Sequence, residues 1–288
     1  MSHASPYILK FSVDEIGLTF HVIDAKGAPI THLTSADLRL SDNYKRQDRI
    51  VMLQSYQNLP IRAGFLFDTS KSMLEDIDNN DSIIHLYASR LLRKGIDRAF
   101  VMQFDTEPLI RQNWTDNDAL IAAGAAAIRE RNNHLPITAL FDSLYTTCRD
   151  LWPDNREEAT GNFILLFSDG MDDDSHHAFL SNAVDMCQRR RTAIYVIANS
   201  KKSPFSEGQR TLEELAYETG GRVFFNPQGN QIWEDLQIIE AEQRNQYRLV
   251  YRPSNFKANG DFHRIKLSCS IKGAKVFTRS GYYAFAKP

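Results

Sequence analysis

Four short apolar runs mark the middle of the chain: AGFLFD (63–68), RAFVMQFD (98–105), NFILLFSD (162–169) and TAIYVIAN (192–199). Each is too short for a helix and too continuously apolar for a half-exposed strand, which predicts parallel strands covered on both faces. Helix-period stretches separate them: SIIHLYASRLLRKG (82–95), NDALIAAGAAAIRE (117–130), ALFDSLYTTCRDLW (139–152), HAFLSNAVDMCQRRR (177–191) and TLEELAYETGG (211–221). The last ends in glycine, a helix stop signal. Alternation of this kind predicts a doubly wound α/β domain with a mostly parallel sheet of about six strands.

The two ends read differently. LTFHVIDAKGAPI (18–30) alternates and reaches a turn at Ala25-Lys26-Gly27, and LRLSDNYKRQDRIVMLQ (38–54) reads as a second hairpin. QYRLVYRPS (246–254), FHRIKLSCSIKGAKVFT (262–278) and GYYAFA (281–286) are also strand-like, with a turn at Lys272-Gly273. Neither end has enough strands to bury a face alone. The economical assembly is an insertion: segments 1–56 and 245–288 pair into one small all-β sandwich, and the α/β domain, 57–244, is threaded between them. Separate appendages packed on the central domain would leave strand edges to be covered.

Composition narrows the function classes. The 288 residues are 42% hydrophobic and 24% charged with a formal net charge of -2, so nothing favours nucleic acid or an anionic membrane as partner. No run approaches the roughly 20 apolar residues of a membrane span. The opening MSHASPYILKFSVDEIGLTF has no basic stretch followed by an apolar block, so it does not read as a signal peptide, although a mature exported chain would begin the same way. Cys148, Cys187 and Cys269 are odd in number and far apart, which predicts buried structural thiols rather than a disulfide.

The chemistry concentrates at the ends of the apolar runs, where open parallel sheets bind ligands. Asp68-Thr69-Ser70-Lys71-Ser72 follows AGFLF, Thr138 precedes ALFDSLYTTC, and Asp169 closes NFILLFSD. Three loops at one sheet edge thus present five oxygen ligands: Asp68, Ser70, Ser72, Thr138 and Asp169. Hydroxyls and carboxylates without sulfur or imidazole suit a hard cation, Mg²⁺ before zinc or copper, with Mn²⁺ or Ca²⁺ as substitutes. With only two anionic ligands, the ion would keep positive character and an exchangeable position, suited to a carboxylate from another molecule.

DTSKS resembles the D-x-S-x-S signature of the metal-ion-dependent adhesion site in von Willebrand factor type A domains, and PITALFDSL and FSDG match that family's second and third motifs in order. The resemblance implies direct metal contacts from Ser70 and Ser72 and a water-mediated one from Asp68. Thr138 and Asp169 would alternate between direct and water-mediated contact. Pro136-Ile137 departs from the glycine common before the threonine and implies a stiffer loop. The flanks FHVIDAKGAPITHLTSADLRLSDNYKRQ and QYRLVYRPSNFKANGDFHRIKLS…GYYA are similar to those of a bacterial group, abundant in acidobacteria, many of whose members are exported. By the same resemblance, partner binding couples to movement of the last helix; here that helix, around QIWEDLQIIEAEQRNQ, leads straight into the β domain, and this connectivity suggests that occupancy of the metal site reorients that domain.

Other clusters have plainer explanations. Glu75 and Asp76 resemble a second, adjacent metal site of integrin beta subunits, but acidic residues at a helix start also serve the helix dipole. Asp172-Asp173-Asp174-Ser175-His176-His177 reads as a solvated loop at the site's rim, with a Ser or Asp capping the next helix. Arg189-Arg190-Arg191 complements a helix C-terminus, and Trp114, Trp152 and Trp233 read as core or rim. G-x-S-x-G, Walker and H-E-x-x-H motifs are absent, Ser70 has no local base, and Ser70 stands where aspartate-based phosphoryl transferases carry a second acid. The sequence therefore predicts a non-enzymatic, metal-dependent protein-binding module. The alternatives are a scaffold with a structural metal and, further off, a magnesium-dependent hydrolase.

Overall fold

The computed structural model describes residues 15–47, 49–129, 135–152, 159–198, 206–227, 229–254 and 256–284. The first 14 residues, on which the leader reading rests, lie outside that set, as do Asp48, Glu130, Asn199, Phe285 and Ala286 of the predicted elements. In chain order the strands and helices are β1 (Ile16–Ile23), β2 (Leu38–Asp42), β3 (Lys45–Gln47), β4 (Ile50–Tyr56), β5 (Ile61–Asp68), α1 (Ile77–Arg90), β6 (Arg98–Phe104), β7 (Pro108–Thr115), α2 (Asp118–Arg129) and α3 (Leu140–Asp150). There follow β8 (Gly161–Phe167), α4 (Leu180–Arg189), β9 (Thr192–Ala198), α5 (Glu207–Thr219), β10 (Val223–Phe225), α6 (Asn230–Arg244), β11 (Gln246–Tyr251), β12 (Phe262–Cys269), β13 (Lys275–Thr278) and β14 (Gly281–Tyr283).

The central sheet has the order β10-β9-β8-β5-β6-β7 and is parallel except for β7. The four apolar runs form its inner strands, and alternate side chains of one strand enter opposite cores. Phe163, Leu165 and Phe167 pack under α1, α2 and α6, whereas Ile164 and Leu166 pack under α3, α4 and α5. This is the doubly wound arrangement that the alternation predicts. The edge strands β7 and β10 escape the apolar-run criterion for a physical reason. β7 leaves Leu109 and Ile110 exposed and is bulged against β6, and β10 is three residues long.

The two ends of the chain build two further antiparallel sheets, β13-β1-β11-β4 and β14-β12-β2-β3, that share one core of Leu18, Phe20, Leu40, Tyr247, Leu249 and Leu267. In the first sheet N- and C-terminal strands alternate, β1 pairing with β11 and β13 and β11 with β4, whereas in the second the two segments meet once, where β2 pairs with β12. Of the predicted hairpin over 38–54, only β2 and β3 pair, across Asn43 and Tyr44, both at positive φ, while β4 crosses to the other sheet and pairs with β11. The turn at Ala25-Lys26-Gly27 instead yields a single bridge, Ile23 to Pro29, because β1 finds its partners in the C-terminal segment. Lys272-Gly273 is a turn that carries the chain from one sheet to the other rather than a hairpin.

Where the chain crosses from sandwich to α/β unit and back, a buried ion-pair cluster ties the crossings together. Asp97 accepts two hydrogen bonds from Arg244 (3.1 and 2.7 Å), three from Arg93, one of them from its backbone amide, and one from the Ile61 N–H. Arg244 and Arg93 both also donate to the Leu59 carbonyl. Burial opposes ionisation of Asp97, but these donors outweigh it and hold the carboxyl well below its usual range.

One expectation is corrected. Cys148 and Cys187 are not separate thiols but a disulfide joining α3 to α4 across 39 residues of sequence, while Cys269 is free and half-buried. Sequence distance misled because α3 and α4 lie side by side on one face of the sheet. Alkylation of the denatured, unreduced chain should label one thiol, Cys269, rather than three. Reduction should cost about 4 kcal/mol of stability by loop-closure entropy. Labelling at all three cysteines would contradict the bridge.

Candidate metal centre

Parallel strands deliver their carboxyl ends to one edge of the sheet, and three loops there are hydrogen-bonded to one another. Lys71 N donates to the Leu135 carbonyl (2.9 Å), which draws the loop before α3 onto the Asp68–Ser72 loop. Ala139 N donates to Asp105 O (2.7 Å), and the Asp173 and Asp174 amides both donate to Thr138 O. Thr69 is pinned to Phe104 O through its amide and its hydroxyl.

Within this frame Ser70 Oγ and Ser72 Oγ lie 3.2 Å apart. Asp68 is buried, with one carboxylate oxygen accepting Ser70 N (2.9 Å) and the other Ser168 Oγ (2.7 Å). Burial pushes the Asp68 carboxyl up to about 6 against those hydrogen bonds, and neighbouring Asp169 adds repulsion. Asp169 Oδ1 accepts Met171 N. The loop after it needs Gly170, which sits at φ +81 so close to α5 that a Cβ would meet Gly208 O at 2.2 Å. Thr138 is buried beside its loop partners.

The donor set fits a hard cation. Two hydroxyls are already paired, the Asp169 carboxylate repels that of Asp68, and no thiolate or imidazole belongs to the set. Both Asp68 oxygens are engaged by protein donors, which suits a role at one remove, through water. Among the described residues no group of three or more His, Cys, Asp and Glu is placed to hold a metal, so an ion here would depend on the hydroxyls. Glu75 and Asp76 stand at the start of α1, the first exposed and the second half-buried.

The acidic loop has a different job from capping its own helix. Helix α4 begins at Leu180, and the Asn182 side-chain oxygen accepts the Phe179 amide. Ser175 Oγ instead accepts the Asp142 amide of α3 and donates to Asp172, while the Asp142 carboxylate accepts the amides of His176, His177 and Ala178. Burial would raise the Asp142 carboxyl, but those three backbone donors bring it below its ordinary value. Sequence reasoning passed over Ser168, Asp105 and Asp142. Ser168 adjoins Asp169 in FSDG, and Asp142 stands in the first turn of a helix, but nothing in either pattern names a partner across the sheet.

Trp114 and Trp152 pack edge-to-face on Phe100, as core or rim residues should. Trp233 is half-buried on α6.

No protein-family model matches the chain, and no curated protein does. Among solved structures, the chain is similar to the vWF domain of the type V pili tip protein Mfa5 from Porphyromonas gingivalis, at 11% identity and TM-score 0.50, over 63% of this chain and 95% of that one. It is also similar to proximal thread matrix protein 1 from the mussel byssus, at 13% identity and TM-score 0.53, over 70% of this chain and 51% of that protein, about half its length. A further structure of the mussel protein has a zinc-occupied MIDAS motif, at TM-score 0.53 and 14% identity over 70% of this chain and 50% of that one. The central unit of the chain has the von Willebrand factor type A fold, flanked by antiparallel β sheets.

Ser168→Ala would leave a buried Asp68 oxygen without its donor. The variant should lose about 2 kcal/mol of stability in urea denaturation without metal, and a loss under 0.5 kcal/mol would show that the contact carries no weight.

Proposed function

We propose that the chain is a protein-binding module of adhesion or assembly type, in which a divalent cation at Asp68, Ser70, Ser72, Thr138 and Asp169 captures an acidic residue of a partner. The observation that carries this reading is the convergence of three loops, hydrogen-bonded to each other, on a paired Ser70–Ser72 hydroxyl set beside two carboxylates. Ser70 and Ser72 would hold the ion directly, and Asp68 would act through water because its oxygens serve Ser70 N and Ser168. Mg²⁺ suits the oxygen donors best, with Mn²⁺ or Ca²⁺ in its place. When bound, the ion supplies an electropositive position open to a carboxylate.

The surroundings suit capture of a protein. Ile137, Leu74 and Phe179, on the loops and turns that carry or flank the site, are exposed apolar side chains of the sort that line recognition surfaces. The pilus-tip protein and the byssal thread protein that share the fold favour this class of role over catalysis. No helix among the described residues is long and apolar enough to cross a membrane. The Cys148–Cys187 disulfide fits a chain exported to an oxidising compartment, as in the acidobacterial-type group that the flanks resemble. In this reading 1–56 and 245–288 form one domain and 57–244 another.

Magnesium titration by calorimetry tests the reading. The intact chain should bind one equivalent, and Ser70→Ala with Ser72→Ala, folded by circular dichroism, should bind at least tenfold more weakly. A wild type that binds no divalent cation would overturn it. Binding unchanged in the double variant would move the site elsewhere.

A further inference from the structure

The end of the central sheet remote from the candidate metal centre meets the sandwich across a cleft of about 520 Å³. Its wall carries four arginines, Arg189, Arg191, Arg248 and Arg279, against one carboxylate, Glu15, although the whole chain has a formal charge of -2. Glu15 is taken by Arg252, at 2.9 Å, and Arg189 is matched by Asp185, at 2.7 Å. No carboxylate among the described residues pairs with Arg279 or Arg248. The Arg279 guanidinium gives one hydrogen bond, to Gly17 O, and its Nε is buried without an acceptor. On the same wall the buried Gln188 donates its Nε2 to Glu218 O, and its Oε1, an acceptor without a partner, suits a ligand hydroxyl and not the anionic group.

These groups come from separate elements: Arg248 from β11, Arg279 from the turn before β14, and Gln188 and Arg191 from the end of α4. Folding therefore holds like charges together, where they repel. Burial pulls the Arg279 guanidinium down from its ordinary value, with Arg191 adding to it and Tyr251, Tyr282 and Asp185 opposing it. Arg279 and Arg191 belong to opposite sides of the junction between the sandwich and the α/β unit. An anion in the cleft would offset the charge of Arg279 and Arg248.

We propose that this cleft binds a small phosphorylated anion, its phosphate group held by Arg279 and Arg248. A lone carboxylate satisfies one guanidinium, whereas a phosphate carries up to two charges and three acceptor oxygens, enough for arginines from two directions. The volume exceeds a bare phosphate and suits one with a small body attached, in the size range of small-molecule pockets at domain junctions. β8 spans the distance between the two sites, with Asn162 on the cleft wall and Asp169 beyond its other end. At about 3.3 Å per residue they lie on the order of 20 Å apart, so this site is independent of the metal-binding reading.

The test is isothermal titration of the full chain, in EDTA and at constant ionic strength, with inorganic phosphate, pyrophosphate, glucose 6-phosphate and citrate. At least one phosphate compound should bind more tightly than citrate, and a preference for the sugar phosphate over both inorganic anions would identify an ester as the ligand. Arg279→Gln and Arg248→Gln should each weaken binding at least tenfold, and Ser70→Ala with Ser72→Ala should leave it unchanged. Should Arg279→Gln fail to fold, Arg248→Gln on its own decides. Absence of binding by all three phosphate compounds, equal or tighter binding of citrate, or affinity unchanged in Arg248→Gln would each overturn the proposal.

Discussion

A parallel sheet covered on both faces imposes a direction on everything around it. Each strand must return through a helix before the next begins, so every carboxyl end of β5, β6, β8 and β9 reaches the same edge and every amino end the opposite one. Loops that carry oxygen ligands therefore gather at one edge without any side chain having to reach far. At the other edge the chain enters through 57–60 and leaves at Asn245, and the β4–β11 pairing places those crossings side by side.

That second edge is held by charge as much as by apolar packing. Arg244 lies at the end of α6, Arg93 follows α1, and both converge on Asp97 and on the carbonyl of Leu59 at the crossing. Two residues earlier on α6, Glu242 meets His21 of the sandwich, Arg222 and the Tyr195 hydroxyl. Arg222 in turn lies over the Phe277 ring, whose other neighbour is His21. A charge buried in such a cluster is costly to leave alone, so removing one partner is far more disruptive than the net worth of the pair suggests. Movement of α6 would have to carry the sandwich with it or undo these contacts. A second tie between the two units lies at the end of α5, where Glu218 O accepts the Ser280 amide.

How much of this was legible depended on whether a feature is local in the chain. Buried parallel strands write themselves as continuous apolar runs, which is why β5, β6, β8 and β9 could be read directly. The Asp68–Ser72 motif is also local, and Gly220 stops α5 in the left-handed conformation that the sequence implies. Edge strands β7 and β10 have one free side and little burial, so no pattern marks them. The Cys148–Cys187 bridge, the Ser168–Asp68 contact and the reach of Asp142 to the 176–178 amides are all made by residues far apart in sequence. Ser175 shows the same limit: it has the composition of a cap for the helix that follows it, yet it serves the helix before it.

The central claim is that the converged loops form a cation site, and diffraction tests it most directly. Crystals of the intact chain grown with manganese should show an anomalous peak within direct coordination distance of Ser70 Oγ and Ser72 Oγ, with Asp68 Oδ more distant. The absence of a peak there, or a peak held by other side chains, would contradict the account.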